Sequence, residues 1–328
     1  MSHLEKTELQ LGYIPLLDCI ALLWAKQRGF FAEAGLNVTL VKEASWASLR
    51  DRLAYNVLDA AHCLSAMLPT AAIGEDHLGI PLQTPLILSS NRAFISLSQK
   101  LSHQYSITAN DSPTQSAIKL VKAIEDGHHL QIAHVFNHSI HHYVLREWLS
   151  LANLDLATHY QFVTLPPPNM VEAISLHLID GFCVGEPWNM QAEIQGYSHV
   201  ITASEEIIPP VPDKVLAVTQ DWAEQHPNTL KAITLAIQHA QQDLSAMHDF
   251  SEVWQLLQLY QIVRFNCSEE IHVSTYYKIK NIIQSLGHSA TPQASEFEWI
   301  IKAMNRWDHL NLSPDEIQNL AKQCIYSE

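Results

Sequence analysis

Short runs of apolar residues alternate with amphipathic stretches through the first third of the chain. Residues 9–14 (LQLGYI) predict a strand, and residues 18–33 predict an amphipathic helix that Gly35 closes at its C-terminus. The same alternation continues with predicted strands at 38–41 and 58–62 and predicted helices at 45–55, where Ser45 is the N-cap, and at 66–73. Strand and helix at this spacing indicate a parallel sheet with right-handed crossovers.

A second series of alternating elements begins near Pro85, and from Pro227 onward the pattern predicts helices only. This division predicts an α/β protein of two lobes, with parallel, Rossmann-like sheets and a helical C-terminal tail. We place lobe one at residues 1–88 plus 215–328 and lobe two at residues 89–214. Because ligands of parallel sheets bind at the carboxyl ends of the strands, we expect a cleft between the lobes, lined by the loops after each strand.

The composition restricts the kind of function. Hydrophobic residues make up 47% and charged residues 16% of the chain, which is typical of a compact protein. The net charge of −15 disfavours direct nucleic-acid binding, so an anion site requires a local cluster of donors. No GxSxG, GxGxxG or P-loop motif supports an enzyme, and the pattern implies no cofactor and no metal site.

The location is also an expectation from the sequence. The residues at the start of the chain (MSHLEKTELQ) contain no apolar stretch like that of a secretory signal, and no window reaches the ~18 uninterrupted apolar residues of a membrane span. Five scattered cysteines without a CxxC pair are typical of buried thiols in a reducing compartment. We therefore expect a cytoplasmic protein that does not contact a membrane.

Several blocks stand in a fixed order along the chain: residues 11–19 (LGYIPLLDC), 43–51 (EASWASLRD), 58–62 (LDAAH), 166–171 (PPPNMV), 180–189 (DGFCVGEPWN) and 213–216 (DKVL). Together they resemble the nitrate/bicarbonate-binding family of ABC-type solute-binding proteins, in particular its cytosolic sensor branch without a signal peptide. The resemblance covers about residues 9–230. It implies the two-lobed periplasmic-binding-protein-like fold of type II, with nitrate or nitrite bound in the interlobe cleft.

The resemblance assigns three ligand-binding residues: Trp46 and His141, each at the start of a predicted helix, and Lys214, at the start of a strand. Indole and imidazole N–H groups and an ammonium suit a planar anion whose oxygens only accept hydrogen bonds. Each residue also has a simpler interpretation. Trp46 could fill the core, His141 could be a surface histidine with His138 or His142 in its place, and Lys214 could be an exposed lysine at the lobe boundary.

Four further residues are candidates for supporting roles or for direct contact: Glu186, Asn91, Arg92 and His142. A carboxylate does not bind nitrate directly, so Glu186 is expected to orient a ligand residue or, as we prefer, to cap the helix that begins near Trp188. The amide ligand of the family falls on Ala93, which offers only its backbone, and Asn91 or Arg92 could compensate. His128 and His129 beside Glu125 and Asp126 resemble a metal cluster but are more typical of a solvated loop.

The resemblance favours one function and leaves two alternatives. The first hypothesis is a cytosolic nitrate or nitrite sensor that controls nitrate assimilation by holding an ANTAR-type RNA-binding antitermination regulator inactive until the anion binds. The alternative is the substrate-binding component of an ABC transporter for nitrate, nitrite or bicarbonate. A remote alternative is an enzyme like the pyrimidine-precursor synthases that share this fold, although those carry a cysteine-rich motif that this chain lacks.

Overall fold

A computed structural model of the chain describes residues 3–287 and 290–327. The chain forms two compact units. The first comprises Met1–Ser90, Pro212–Lys302 and Asn311–Glu328, and the second comprises Asn91–Val211 and Ala303–Leu310. The sequence assigned Ala303–Leu310 to the helical tail of the first lobe. In the second unit, Asp308 of this segment accepts a hydrogen bond from Tyr143.

Two five-stranded sheets form the framework of the described residues, one in each unit. In chain order the strands are β1 (Glu8–Tyr13), β2 (Asn37–Lys42), β3 (Ala60–Leu64), β4 (Leu82–Ser90), β5 (Ala93–Ser98), β6 (Ile132–His134), β7 (Val163–Thr164), β8 (Gly181–Gly185), β9 (Ser198–Ala203) and β10 (Pro212–Thr219).

The helices cover these sheets and extend the first unit at its C-terminal end. They are α1 (Ile20–Gln27), α2 (Phe30–Glu33), α3 (Trp46–Ala54), α4 (Met67–Ala72), α5 (Gln99–Tyr105), α6 (Pro113–Glu125), α7 (Ile140–Ser150), α8 (Leu154–His159), α9 (Met170–Ser175), α10 (Trp188–Ile194), α11 (Gln220–Gln225), α12 (Pro227–Ala246), α13 (Ser251–Leu259), α14 (Val273–Ser285), α15 (Ala294–Trp307) and α16 (Pro314–Gln323). Short 3₁₀ helices lie at Leu17–Cys19, Pro167–Asn169 and Ser204–Glu206.

The sheet of the first unit has the order β2-β1-β3-β10-β4. β1 is parallel to both β2 and β3, as the βα alternation predicts, while β10 is antiparallel to β3 and β4. The predicted α/β class is confirmed, with mixed rather than purely parallel sheets. β10 enters after the chain has passed through the second unit, so the handedness rule for a local crossover does not restrict its direction.

The sheet of the second unit has the order β7-β6-β8-β5-β9, and β5 is antiparallel to both of its neighbours. The other strand pairs, β6 with β7 and β6 with β8, are parallel. β5 and β8 are buried along their whole length, which is typical of central strands covered on both faces. This burial explains why their sequences, AFISLS and GFCVG, carry no charged residues.

Local sequence determines two helix ends as predicted, although the helix predicted at residues 18–33 is divided into the 3₁₀ helix Leu17–Cys19, α1 and α2. Ser45 caps α3, since its hydroxyl accepts a hydrogen bond from the Ser48 backbone at 3.2 Å. Gly35 follows α2 with a φ of +79°, the left-handed conformation that glycine adopts without strain. None of the helices within residues 3–287 and 290–327 has the length and apolarity needed to span a bilayer. All five cysteines are buried thiols.

Candidate functional site

The sheet of the first unit gathers polar residues at one edge. The carboxyl ends of β1, β2 and β3 meet there, and antiparallel β10 begins at the same edge. Lys214 in β10 lies opposite Leu64, and Leu216 lies opposite His62. Asp18 follows β1, and Trp46 follows β2 at the first position of α3. Residues that are far apart in the chain therefore converge because the strand ends do.

Lys214 is the centre of this cluster, and its side chain is fully buried. Its Nζ lies 2.7 Å from Oδ1 of Asp213 and 3.5 Å from Oδ2 of Asp18. It also lies 5.9 Å from the ring centroid of Trp46, within the range of a cation–π interaction. The pairing of β10 with β4 is irregular at Lys214. At this irregularity Asp213, the preceding residue, lies close to the Lys214 ammonium. The predicted alternative of an exposed lysine at the boundary does not describe this environment.

The charges of the cluster support one another. Burial alone would raise the pKa of Asp18, but the charge of Lys214 and the contacts with His62 and Ser89 hold the pKa well below its usual range. Burial would likewise lower the pKa of Lys214, but Asp18 and Asp213 raise it above the usual lysine value. Asp18 therefore stays ionised and Lys214 stays protonated at neutral pH. A buried cation of this kind is stable only while its carboxylate partners remain.

Trp46 contributes a buried donor to the same cluster. Only 1% of the residue is exposed, and among the described residues its Nε1 has no hydrogen-bond partner. A buried N–H without an acceptor costs about 1–3 kcal/mol of stability. The indole of Trp24 differs, because its Nε1 donates to Asp243 at 2.7 Å. Trp46 thus packs as a core tryptophan and also presents an N–H group that could donate a hydrogen bond to a ligand oxygen.

His62 belongs to the cluster although the sequence did not identify it as a site residue. Its Nε2 lies 2.9 Å from Oδ1 of Asp18, and its ring centroid lies 5.7 Å from that of Trp46. Asp18 in turn accepts a hydrogen bond from Ser89 at 2.8 Å. The signal was present in the block 58–62 (LDAAH), which ends on this histidine where a strand approaches the carboxyl edge. The sequence predicts a strand here and a block of the family resemblance, but it assigns His62 no role in the site.

His141 lies in the second unit, whereas Trp46 and Lys214 lie in the first. It is fully buried in the first turn of α7, which Ser139 caps by accepting a hydrogen bond from the His142 backbone. The alternative of a surface histidine does not fit this burial. Nearby, His138 is partly exposed, with Nδ1 4.0 Å from Oδ2 of Asp308.

His142 is part of a chain of hydrogen bonds in the interior of the second unit. Nε of Arg146 donates to its Nε2 at 3.3 Å, so its Nδ1 carries the proton and donates to Nδ1 of His134 at 3.2 Å. Nε2 of His134 then carries a proton and lies 3.0 Å from the hydroxyl of Thr164. Burial lowers the pKa of His134 to about 3 and lowers that of His142 well below its usual value. Both rings of this histidine chain are therefore neutral.

The remaining candidates form structural contacts. The side chain of Asn91 donates to the carbonyl of Pro209 at 2.9 Å and accepts from the backbone of Val211 at 2.8 Å, so both of its ends bind backbone. Glu186 accepts a hydrogen bond from the Met190 backbone at 3.0 Å. This contact at the start of α10 is of the capping kind that we preferred from the sequence. Arg92 is half-buried, and Ala93 is fully buried at the start of β5.

Within the described residues, no group of three or more His, Cys, Asp or Glu side chains is arranged to hold a metal ion. Of the predicted ligand residues, Trp46 and Lys214 are brought together in the first unit, joined there by Asp18, Asp213 and His62. We call these five residues the Lys214 cluster. It offers a buried ammonium, an indole donor and an imidazole, which are groups that bind small oxyanions.

The carboxyl edge of such a sheet is where α/β proteins commonly place their ligand sites. The chain belongs to the NMT1-like family, whose model matches residues 2–258. Solved structures agree on the fold. The periplasmic nitrate-binding protein NrtA from Synechocystis PCC 6803 matches with a TM-score of 0.80 and 24% identity, covering 98% of this chain and 86% of that one. The alkanesulfonate-binding protein SsuA from Xanthomonas axonopodis pv. citri matches with a TM-score of 0.72 and 14% identity, covering 99% of each.

Curated relatives include both transport ATP-binding proteins and binding proteins. The bicarbonate transport ATP-binding protein CmpC of Synechocystis sp. is 32% identical over 98% of this chain and 49% of its own length. The nitrate/nitrite binding protein NrtA of Nostoc sp. is 35% identical over 73% of this chain and 54% of its own length. The chain therefore spans about half the length of these relatives, and it is homologous to nitrate- and bicarbonate-binding proteins.

The histidine chain predicts how the stability of the second unit depends on pH. Because His134 and His142 have lower pKa values folded than unfolded, the unfolded state binds more protons below about pH 6.5, and stability falls as pH falls. Each neutral histidine adds at most about 1.4 kcal/mol per pH unit to this slope. We expect His142→Gln to flatten the slope of unfolding free energy between about pH 5 and 6.5 in urea titrations.

The matched control is His129→Gln, which makes the same change at an exposed histidine and should leave the slope unchanged. An equal slope in the wild type and in His142→Gln would show that the histidine chain is not neutral in the folded protein.

Proposed function

We propose that the chain binds a small planar oxyanion, nitrate or nitrite, at the Lys214 cluster. The observation that carries this proposal is the buried ammonium of Lys214 beside a buried indole N–H of Trp46 that has no acceptor among the described residues. An oxyanion supplies the missing acceptor. The homology to proteins named for nitrate, nitrite and bicarbonate binding supports the same ligand class.

Lys214 supplies the full positive charge in this proposal, and Trp46 supplies a directed neutral donor. Nζ of Lys214 has three protons, and its two carboxylate neighbours, Asp213 and Asp18, lie at 2.7 Å and 3.5 Å. At least one proton is therefore left for an anion in the same low-dielectric surroundings, where charge-assisted hydrogen bonds are strong. We propose His141 of the second unit separately as a ligand residue, with an expected loss of nitrate affinity on replacement by Ala.

We also propose that the chain acts in the cytosol as a sensor controlling an ANTAR-type RNA-binding antitermination regulator of nitrate assimilation. The family resemblance supports this role. A binding protein that reports an anion to a partner must bind that partner with different affinity in its free and loaded states.

Replacing Lys214 by Met should remove nitrate binding. Loss of the buried cation costs the complex at least about 2 kcal/mol, or roughly 30-fold in Kd. Calorimetric titration with nitrate, nitrite and bicarbonate measures the change, with Lys100→Met as the control at an exposed lysine. Circular dichroism verifies folding, because the variant leaves Asp18 and Asp213 without their cation. Nitrate affinity equal to that of the wild type would remove Lys214 from the site.

Trp46→Phe tests the donor without changing any charge. We expect nitrate affinity to fall roughly tenfold to a hundredfold. The anion-free protein should lose the packing of the larger ring but no hydrogen bond, because the N–H has no acceptor among the described residues. Trp24→Phe is the matched variant. It also loses a hydrogen bond to Asp243, so it should lose about 1 kcal/mol more stability than Trp46→Phe and retain nitrate affinity. Wild-type nitrate affinity in Trp46→Phe, together with reduced affinity in Trp24→Phe, would contradict the assignment of Trp46 as the nitrate donor.

The sensor role predicts an interaction that depends on the anion. A purified ANTAR-type regulator from the same organism should bind the immobilised chain without nitrate and dissociate when nitrate is added. The Lys214→Met variant should retain the regulator in both conditions. A complex that is indifferent to nitrate would contradict the sensor role, and recovery of the native protein outside the cytosol on cell fractionation would favour the transporter alternative.

A further inference from the structure

The carboxyl group of Glu43 is buried between the end of β2 and the start of α3. Only 4% of the residue is exposed. Its backbone N–H donates to the carbonyl of Tyr13 at 2.9 Å, which continues the pairing of β2 with β1. Glu43 is therefore fixed to the sheet shortly before Trp46. Because a buried carboxyl group costs free energy unless its oxygens are hydrogen-bonded, the partners of Glu43 indicate what the residue does.

Both carboxyl oxygens of Glu43 bind the helix α3. Oε2 accepts a hydrogen bond from the hydroxyl of Ser48 at 2.6 Å, and Oε1 accepts one from the guanidinium of Arg52. Ser48 and Arg52 lie one helical turn apart, so they share one face of α3. A side chain anchored at the end of β2 thus holds two successive turns of the helix.

Trp46 is the first residue of the helix that Glu43 holds. Ser45 precedes it and caps α3, because its hydroxyl accepts from the Ser48 backbone at 3.2 Å. Ser48 is therefore bonded to Ser45 through its backbone and to Glu43 through its side chain. The short segment that carries Trp46 is fixed by β2 on one side and by the bonds of Ser48 on the other.

The indole of Trp46 has a physical need for such a fixed backbone. Its Nε1 is buried without a partner among the described residues, which costs free energy in the anion-free protein. A tryptophan that was free to turn would lower this cost by giving the N–H to water or to another acceptor. The ring instead lies 5.9 Å from the ammonium of Lys214. A donor kept in place before the ligand arrives loses less entropy when the ligand binds.

We propose that Glu43 is a positioning residue of the Lys214 cluster, which acts on nitrate affinity through Trp46. Both of its carboxyl oxygens are bonded to α3, and these bonds hold the start of the helix where the indole N–H faces the cluster. An anion then supplies the acceptor that the N–H lacks. The inference rests on the proposed function and extends the binding machinery to the end of β2.

Asp59 is the matched carboxyl group for a test. It is also 4% exposed, and its oxygens accept from the ammonium of Lys6 at 2.6 Å, the backbone of Gln10 at 2.8 Å and the indole of Trp222 at 3.0 Å. It directly precedes β3, so it lies at the amino edge of the parallel strands, opposite the edge that carries the Lys214 cluster. Asp59→Asn therefore disturbs a buried carboxyl group of the same unit without touching the start of α3.

A double-mutant cycle on the full chain tests the proposal. Glu43→Gln keeps the size of the side chain but can accept at only one of its two terminal atoms, so the Kd for sodium nitrate should rise about tenfold in calorimetric titration. In the Trp46→Phe background the same change should leave the Kd unaltered, because the donor through which Glu43 acts is already absent. Asp59→Asn should bind nitrate like the wild type.

Two outcomes of the cycle would overturn the proposal. One is an equal rise of the Kd with and without Trp46, and the other is a wild-type Kd in Glu43→Gln. Circular dichroism verifies that each variant folds. Should Glu43→Gln fail to fold, Ser48→Ala takes its place, because it removes only the bond to Oε2. Its Kd should rise about threefold where Trp46 is present, and a wild-type value would again overturn the proposal.

The indole signals of the tryptophans provide a readout that needs no nitrate. In ¹H–¹⁵N spectra of protein labelled with ¹⁵N-tryptophan, Trp46→Phe identifies the signal of Trp46. Glu43→Gln should move or broaden that signal and leave that of Trp222 in place, whereas Asp59→Asn should do the reverse. An unchanged Trp46 signal in Glu43→Gln would overturn the positioning role. Absence of nitrate binding by the wild type would instead refute the proposed function.

Discussion

The burial of one ammonium group is the constraint on which the described site depends. Lys214 has no exposed surface, and two carboxylates balance its charge. Asp18 follows β1, and Asp213 lies next to Lys214 in β10. Burying such a cation costs free energy unless its carboxylate partners are in place. The end of β1 and the start of β10 must therefore lie at the same edge of the sheet. The antiparallel insertion of β10 between β3 and β4 provides that geometry. The rest of the cluster follows from it, because Trp46 and His62 line the same edge.

A cluster built this way offers hydrogen-bond donors that suit a small oxyanion. The protein has a net charge of −15, so long-range attraction does not bring an anion to the site, and the donors must act locally. Nζ of Lys214 and Nε1 of Trp46 are such donors, both buried, and Nε1 has no hydrogen-bond partner among the described residues. In the second unit, the neutral histidine chain from Arg146 to Thr164 shows the contrasting case, in which each ring nitrogen has a partner.

The alternation of apolar runs and amphipathic stretches was sufficient to predict the α/β class, the cap at Ser45 and the strand that carries Lys214. Blocks in a fixed order identified Trp46 and Lys214, because the residues themselves stand in those blocks. The pairing of His62 with Asp18 was not predictable, since it joins positions 44 apart through the strand order, which local pattern does not encode. The antiparallel direction of β10 was missed for the same reason. The bonds of Asn91 to Pro209 and Val211 likewise depend on tertiary structure.

The most direct test of the Lys214 cluster as an oxyanion site is a crystal structure of the chain grown or soaked with sodium nitrate. The account predicts a planar anion with one oxygen within hydrogen-bond distance of Nε1 of Trp46 and another near Nζ of Lys214. Nitrate bound elsewhere in the first unit, with the Lys214 cluster unchanged from its anion-free arrangement, would contradict it.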